Sequence, residues 1–318
     1  MKKAYEKIIL VTGGAGFIGS AYLNTMVPLY PRYRFVNLDA LTYAADKKNL
    51  KVERKKNYVF VRADIRNKKR LRGVFEKYRP THIIHFAAES HVDNSIARPH
   101  VFVETNVLGT LNLLQLARDY RVMRFHHIST DEVYGSLSQR ARPVSEDAPL
   151  RPSNPYSATK AAADCFVLSY HNTYGLNTVI TRSSNNYGPG QHKEKLIPLF
   201  INAFKNGKRA PLYGSGTNVR DWIYVDDNVE GIDRVFHKGT SGGVYNLGGG
   251  NEMRNIDVAK RLLALVGNRH ASVVRVKDRL GHDMRYALNS AKARKLGWLP
   301  KVTFDKGLLK TVAQYLKR

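Results

Sequence analysis

The chain has 318 residues, 43% of them hydrophobic, a single cysteine, and a formal charge of +26 from 52 basic and 26 acidic side chains. That length and apolar content suit a soluble globular protein with a sizeable core and room for two domains. One cysteine excludes an internal disulfide and a thiolate metal cluster; with no bilayer-length apolar run and no signal peptide in view, a reducing cytoplasm is expected.

A field of this sign attracts polyanions, nucleotides or anionic membranes. The basic residues are nevertheless spread along the chain, in runs such as 54–56, 68–70 and 292–295, without one aromatic-lined stripe. A solvated basic surface is expected, with neither nucleic acid nor a membrane as partner.

Residues 7–13, KIILVTG, are an apolar run leading through glycines into FIGSAYLNTMV, whose spacing is helical: strand, turn, helix. Gly14, Gly16 and Gly19 satisfy G-x-G-x-x-G, and Gly13, Gly16 and Gly19 the wider G-x-x-G-x-x-G. Such glycines permit a tight turn and let backbone approach a pyrophosphate seated at the helix amino end. The next strand, RFVNLD, ends in Asp39, twenty residues after Gly19. A carboxylate there can accept both ribose hydroxyls and repels a 2′-phosphate, so NAD is expected rather than NADP.

The strand YVFVRAD ends at Asp64, which with Ile65 is placed to flank the adenine. In THIIHFAAES, Ala87 and Ala88 are small enough for backbone to lie against the cofactor. His91 and Asp93 have no further partner at a metal spacing, so they read as loop residues and no metal is expected. A long helix is expected from about His100 to Tyr120, packing through Val103, Val107, Leu111 and Leu114.

Residues 125–135 read FHHISTDEVYG. The first five suit a buried strand, so Thr130, Asp131 and Glu132 emerge at its carboxyl end, where open parallel sheets bind ligands. Adjacent carboxylates can divide proton work when their environments separate their pKa values; taken alone, the pair suits a solvated acidic turn equally well. In PYSATK, Tyr156 and Lys160 share a helix face, so the ammonium can lie beside the phenol and favour a phenolate base. Ser153, Asn154 and Pro155 open that helix. Cys165 lies within it and is expected to be a small buried residue.

TVITRSSNNYGPG reads as strand then loop. There follow a helix in EKLIPLFINAFKNG, the short strand APLYG, the turn SGTNVRDWIYV, a helix from about Asp226, the strand GGVYNLGG and two carboxyl-terminal helices. Lys195, Arg220, Arg279 and Arg285, in separate loops, are enough cations to hold a diphosphate, although each alone also suits a surface charge. The alternation of strands and helices predicts an α/β fold. A Rossmann-type doubly wound parallel sheet covers residues 1–182 and receives parts of 221–249, and a smaller α/β substrate domain covers 183–318.

The motifs TGGAGFIGS, DALTYA, HFAAESHVDNSI, ETNVLGT, HHISTDEVYG, NPYSATK, SNNYGP, EKLIPL, NVRDWIYV, YNLGGGNE, DRLGHDMRY and LGW, in this order, cover essentially the whole chain. The chain so resembles the extended short-chain dehydrogenase/reductase family and, within it, the dTDP-glucose 4,6-dehydratases. The glycines and the Tyr-Lys pair mark only the superfamily. The Asp131-Glu132 pair discriminates, because related epimerases carry serine or threonine there without both carboxylates.

The resemblance implies that Thr130, Asp131, Glu132, Tyr156 and Lys160 are catalytic. It also implies NAD contacts from Phe17, Ile18, Asp39, Asp64, Ile65, Ala87, Ala88, Thr105 and Asn186, beside the glycines. Nucleotide-sugar contacts are implied for Asn185, Lys195, Leu196, Pro211, Tyr213, Arg220, Asn255, Arg279, His282 and Tyr286. The implied enzyme is a lyase making dTDP-4-keto-6-deoxyglucose from dTDP-glucose for deoxysugar biosynthesis. It would be a homodimer paired through the helices of residues 106–120 and Tyr156; UDP-glucose as substrate and 4-epimerisation are the alternatives.

In the implied mechanism Tyr156 takes the C4 hydroxyl proton while C4 gives hydride to NAD, with Thr130 positioning the oxygen. Glu132 then removes the C5 proton, Asp131 protonates the departing C6 hydroxyl, hydride returns to C6 and C5 is reprotonated. Asp131 must be protonated at working pH, so its pKa is expected to be raised relative to that of Glu132. Departures from the family pattern are Ala40, Asn94, Ser183, Asn228, Leu280 and the loop of residues 190–193. None removes a catalytic group; the last two lie near the implied nucleotide and sugar pockets and bear on base preference, thymidine against uridine.

Overall fold

The structure is a computed structural model and describes residues 5–317. From the amino end come β1 (Lys7–Thr12), α1 (Phe17–Leu29), β2 (Tyr33–Asp39), β3 (Tyr58–Arg62), α2 (Lys68–Tyr78) and β4 (His82–His85). Then follow α3 (Val92–Ala97), α4 (Pro99–Phe102), a π-helical segment Val103–Leu108, α5 (Gly109–Asp119), β5 (Arg124–Thr130), a 3-10 turn Asp131–Tyr134, α6 (Pro155–Tyr174) and β6 (Thr178–Ser183). The rest is β7 (Asn185–Tyr187), α7 (Leu196–Lys205), β8 (Arg209–Tyr213), β9 (Val219–Tyr224), α8 (Val225–Lys238), β10 (Gly243–Leu247), β11 (Glu252–Arg254), α9 (Asn255–Val266), β12 (Ser272–Val276), α10 (Ala291–Lys295) and α11 (Phe304–Leu316).

The chain divides into two compact units. The first comprises, among the described residues, 5–130, 154–182 and 232–245 and holds a seven-stranded sheet of order β10-β6-β5-β4-β1-β2-β3. β1 pairs in parallel with β2 on one side and β4 on the other, so the winding reverses at β1. Carboxyl ends of strands at such a reversal are where α/β sheets seat ligands. Leu10, Val36, Ile83, Phe125 and Ile180, from five strands, are fully buried in one core with Leu113, Leu114 and Val167 of α5 and α6. Strands apolar on both faces are what a sheet covered on both sides demands. The second unit, residues 131–153, 183–231 and 246–317, has a three-stranded sheet β11-β9-β7 and the parallel pair β12-β8. Its core gathers Phe200 and Phe204 of α7, Leu262 of α9 and Leu308 of α11.

Several expectations are corrected. The helix expected over residues 100–120 is broken: α4 passes through the π-helical segment into α5. The wider turn rotates the face, leaving Val103 42% and Leu108 49% exposed, while Asn106 is buried. NVRDWIYV is not a turn but contains β9, whose Trp222, Ile223 and Tyr224 are all buried, as a strand covered on both faces requires. His91 and Asp93 belong to a helix, not a loop: His91 caps α3, its Nδ1 accepting the Asn94 amide at 3.3 Å. The carboxyl-terminal region holds α9, α10, α11 and also β12. Cys165 is exposed, because α6 turns Ala161, Asp164 and Val167 inward and leaves position 165 at the solvent edge of that face. Among the described residues no helix is long and apolar enough to cross a membrane.

Candidate functional site

In the first unit the glycine turn is shaped by contacts no side chain could share. Gly13 has φ +71°, in the left-handed region, and a Cβ there would lie 2.5 Å from the Ala87 amide nitrogen. A Cβ on Gly19 would overlap the Gly13 carbonyl oxygen. Gly16 caps α1 without a side-chain acceptor, followed by Phe17 and Ile18 in the first turn. Asp39 ends β2, buried, its Oδ2 accepting the Ala15 amide at 2.9 Å and Oδ1 the Leu41 amide at 2.8 Å. Those two bonds aim the carboxylate, while burial raises its pKa. Free lone pairs on an aimed carboxylate, a bare helix amino end and a backbone too tight for a Cβ fit a dinucleotide. Ala87 and Ala88 follow β4 after Phe86 and are half-buried. Thr105 lies in the π-helical segment, also half-buried.

Asp64 and Ile65 are placed differently from the glycine group. Asp64 is held by a bidentate contact from Arg66, at 2.7 Å from NH2, which lowers its pKa against the raising effect of burial. Ile65 is buried in the core against Gly109.

β5 delivers Thr130, and α6 delivers Tyr156 and Lys160; all three are buried. Asn154 opens α6 with a capping box to Ser157, and Pro155 sits in the first turn. The Lys160 ammonium donates to the Ile128 carbonyl at 2.7 Å and lies 3.3 Å from His127 Nε2. Burial pulls the Lys160 pKa down to about 8, opposed by the Asp164 carboxylate. His127 is held neutral by burial and by Lys160, so its 3.5 Å approach to Asp164 is not an ion pair; Asp164 pairs instead with Arg182 at 2.8 Å. Asn106 accepts from the Glu89 amide at 2.8 Å and donates to Thr159 Oγ1 at 3.0 Å, tying the loop after β4 to α6. Asn106, His127 and Asp164 were missed from the sequence. Asn106 and His127 stand inside the motifs ETNVLGT and HHISTDEVYG without an assigned role, and Asp164 lies outside every motif.

The second unit assembles most of the residues assigned to the nucleotide sugar. Asp131 is buried and Glu132 half-buried in the 3-10 turn after β5. Desolvation raises the Glu132 pKa, opposed by Lys195, Arg220 and Arg279, with Asp283 adding to the rise. The Arg220 guanidinium lies 4.4 Å from the Tyr286 ring centroid, and Arg279 lies 4.9 Å from that of Tyr213. His282 packs edge-on to Tyr213 at 6.2 Å, and its Nδ1 meets Asp278 Oδ1 at 2.6 Å. Burial lowers the His282 pKa, so this contact is a hydrogen bond of a neutral ring near neutral pH. Lys195 caps α7 and Leu196 opens it. Pro211 lies in β8, Asn255 opens α9, and Asn185 and Asn186 begin β7, a strand where a loop was expected.

Asp283 was missed. Its carboxylate accepts the hydroxyls of Ser153 and Tyr286, and its carbonyl accepts Arg220 NH2 at 3.0 Å and Asn218 Nδ2 at 3.1 Å. Arg285 leaves the set of diphosphate cations: it is buried, bidentate to Glu252 at 2.6 and 2.9 Å, and bonded to the Ala141 carbonyl. Its geometry is that of a brace.

Residues 10–311 match the family described as GDP-mannose 4,6 dehydratase. The chain is 46% identical over 330 residues to the dTDP-glucose 4,6-dehydratase of Haemophilus influenzae, covering 97% of each. It superposes at TM-score 0.93 and 47% identity on a Streptomyces venezuelae dTDP-glucose 4,6-dehydratase solved with NAD, covering 98% of this chain and 97% of that one. The chain belongs to the dTDP-glucose 4,6-dehydratase family. Shape alone does not separate this family from its neighbours. The UDP-glucose 4-epimerase of Thermus thermophilus, also solved with NAD, superposes at TM-score 0.90 over 97% of this chain and 98% of that one, yet at only 32% identity.

Two departures from the dehydratase pattern meet in space: the Ser183 hydroxyl donates to Asn228 Oδ1 at 2.8 Å, both residues buried. One neutral hydrogen bond therefore joins two of the positions at which the chain departs from the family pattern. Leu280 is 74% exposed and Gly190 has a positive φ, so the departures at Leu280 and in the 190–193 loop lie at the surface or in a turn.

Proposed function

We propose that this enzyme converts dTDP-glucose to dTDP-4-keto-6-deoxyglucose. The observation that carries the reading is the carboxylate pair Asp131-Glu132 directly after Thr130, in a chain of this family, with Glu132 in the field of Lys195, Arg220 and Arg279. NAD, when bound, supplies a hydride acceptor for C4 and returns the hydride to C6. Gly13, Gly16, Gly19 and Asp39 would hold it.

Tyr156 takes the C4 hydroxyl proton, with Lys160 favouring the phenolate and Thr130 holding the same oxygen. The C4 ketone acidifies the C5 hydrogen. Glu132 removes that proton, a step for which a carboxylate made more basic by burial is suited. Asp131 protonates the C6 hydroxyl, so water departs, and as C6 regains hydride C5 takes back a proton from Glu132 that has exchanged with solvent. Arg220, Arg279 and Lys195 hold the diphosphate, and Tyr213 and His282 border it. The exposed Val103, Leu108 and Cys165 of the α4–α5 and α6 surfaces support assembly as a homodimer, which sedimentation would measure.

Turnover of dTDP-glucose in deuterated water tests the reading. Loss of one water with a single deuteron at C5 is expected. Unchanged mass with galactose formed would make the protein an epimerase, and selective turnover of UDP-glucose would reassign the base.

A further inference from the structure

The sheet edge formed by β3 carries a feature that the nucleotide-sugar chemistry does not use. β3 is the terminal strand, hydrogen-bonded to β2 on one side, with no strand on its other side among the described residues. Beside it, between the strand and α2, lies a groove of about 620 Å³. Four cations line it, Arg62 from the strand and Lys69, Arg70 and Lys77 from α2, and no acidic residue does. None of the four is in an ion pair among the described residues, whereas nearby Arg66 is matched to Asp64 and Arg118 to Asp119. Positions 69, 70, 73 and 77 succeed one another at helical spacing and so share a face. Gly73, in the middle of that face, keeps the floor open: a Cβ there meets no atom within 4 Å.

The groove's rings argue against a nucleic acid. Lys47 lies 4.8 Å from the Phe60 centroid, and Arg34 and Lys77 lie 5.6 and 5.3 Å from that of Tyr78. A base would have to displace these cations to stack, and stacking is what single-strand binders rely on. An edge strand offers a row of backbone donors and acceptors, which an extended peptide satisfies and a phosphate chain does not.

We propose that the groove between β3 and α2 binds an extended acidic peptide segment of a partner protein, added as a strand beside β3 with its carboxylates on Arg62, Lys69, Arg70 and Lys77. Fluorescence anisotropy of the NAD-loaded enzyme with a labelled octapeptide of alternating Glu and Val tests this. Binding is expected, weakening steeply with salt. The triple variant Lys69→Glu, Arg70→Glu, Lys77→Glu should bind about tenfold or more weakly. Gly73→Leu, whose Cβ meets no atom within 4 Å and whose side chain occupies the groove, should also weaken binding, with dehydratase turnover unchanged in both variants. Amide exchange of residues 59–62 should slow when the peptide is present. Equal binding by the variants would overturn the proposal. So would equal binding of a peptide N-methylated at alternate residues, which cannot add as a strand, or tighter binding of oligothymidine in competition.

Discussion

Replacing Lys160 by methionine should inactivate the enzyme while removing a stability cost that depends on pH. The ammonium is buried, and its pKa falls from the ordinary 10.5 to about 8. At neutral pH the charge therefore costs the fold about 3 kcal/mol relative to an exposed lysine. The unfolded chain keeps this proton up to pH 10.5, whereas the fold releases it from about pH 8, so stability rises with pH across that window. Methionine has similar length and no charge, so the variant lacks this dependence, although it also loses the bond to the Ile128 carbonyl. Denaturant unfolding of both proteins at pH 7 and pH 9.5 should show the stability difference shifting by about 2 kcal/mol in favour of the wild type at the higher pH. Turnover should fall by about 10²- to 10⁴-fold at either pH. A stability difference that stays constant between the two pH values would refute the assignment of a desolvated ammonium.

Asp131→Asn should oxidise C4 but eliminate slowly, so reduced nicotinamide absorbance should build up on mixing with substrate; dehydration at the normal rate would remove Asp131 as the acid. Because burial raises the Glu132 pKa, the acid-side loss of kcat/KM should set in above the ordinary carboxylate range and disappear in the residual activity of Glu132→Gln. Gly19→Ala should lose bound NAD on gel filtration, since its methyl collides with the Gly13 carbonyl; retained NAD would contradict the turn geometry. Asp283→Ala leaves two hydroxyls without their acceptor and should raise KM for the nucleotide sugar about tenfold, with NAD content unchanged as measured by absorbance.

The sequence by itself determined the elements whose signals are local. The glycine turn, Asp39 at the end of β2, the exit of Thr130, Asp131 and Glu132 from β5 and the Asn154-Pro155 start of α6 all follow from periodicity, caps and turn chemistry over a few residues. Tertiary structure decided what depends on neighbours distant in the chain. β9 reads as a turn because its strand character comes from burial between β11 and β7. The π-helical segment follows from Asn106 reaching Glu89 and Thr159, 17 and 53 residues away. Cys165 faces outward because α6 spends its inward face on Ala161, Asp164 and Val167. Asp283 and His127 lie within motifs that assign them no role, Asp164 lies outside all of them, and only packing shows which hydroxyl, ammonium or guanidinium each one meets. Charge is the extreme case: composition supplies its sum, and only the fold shows which cations are matched by carboxylates and which stand together along the β3 edge.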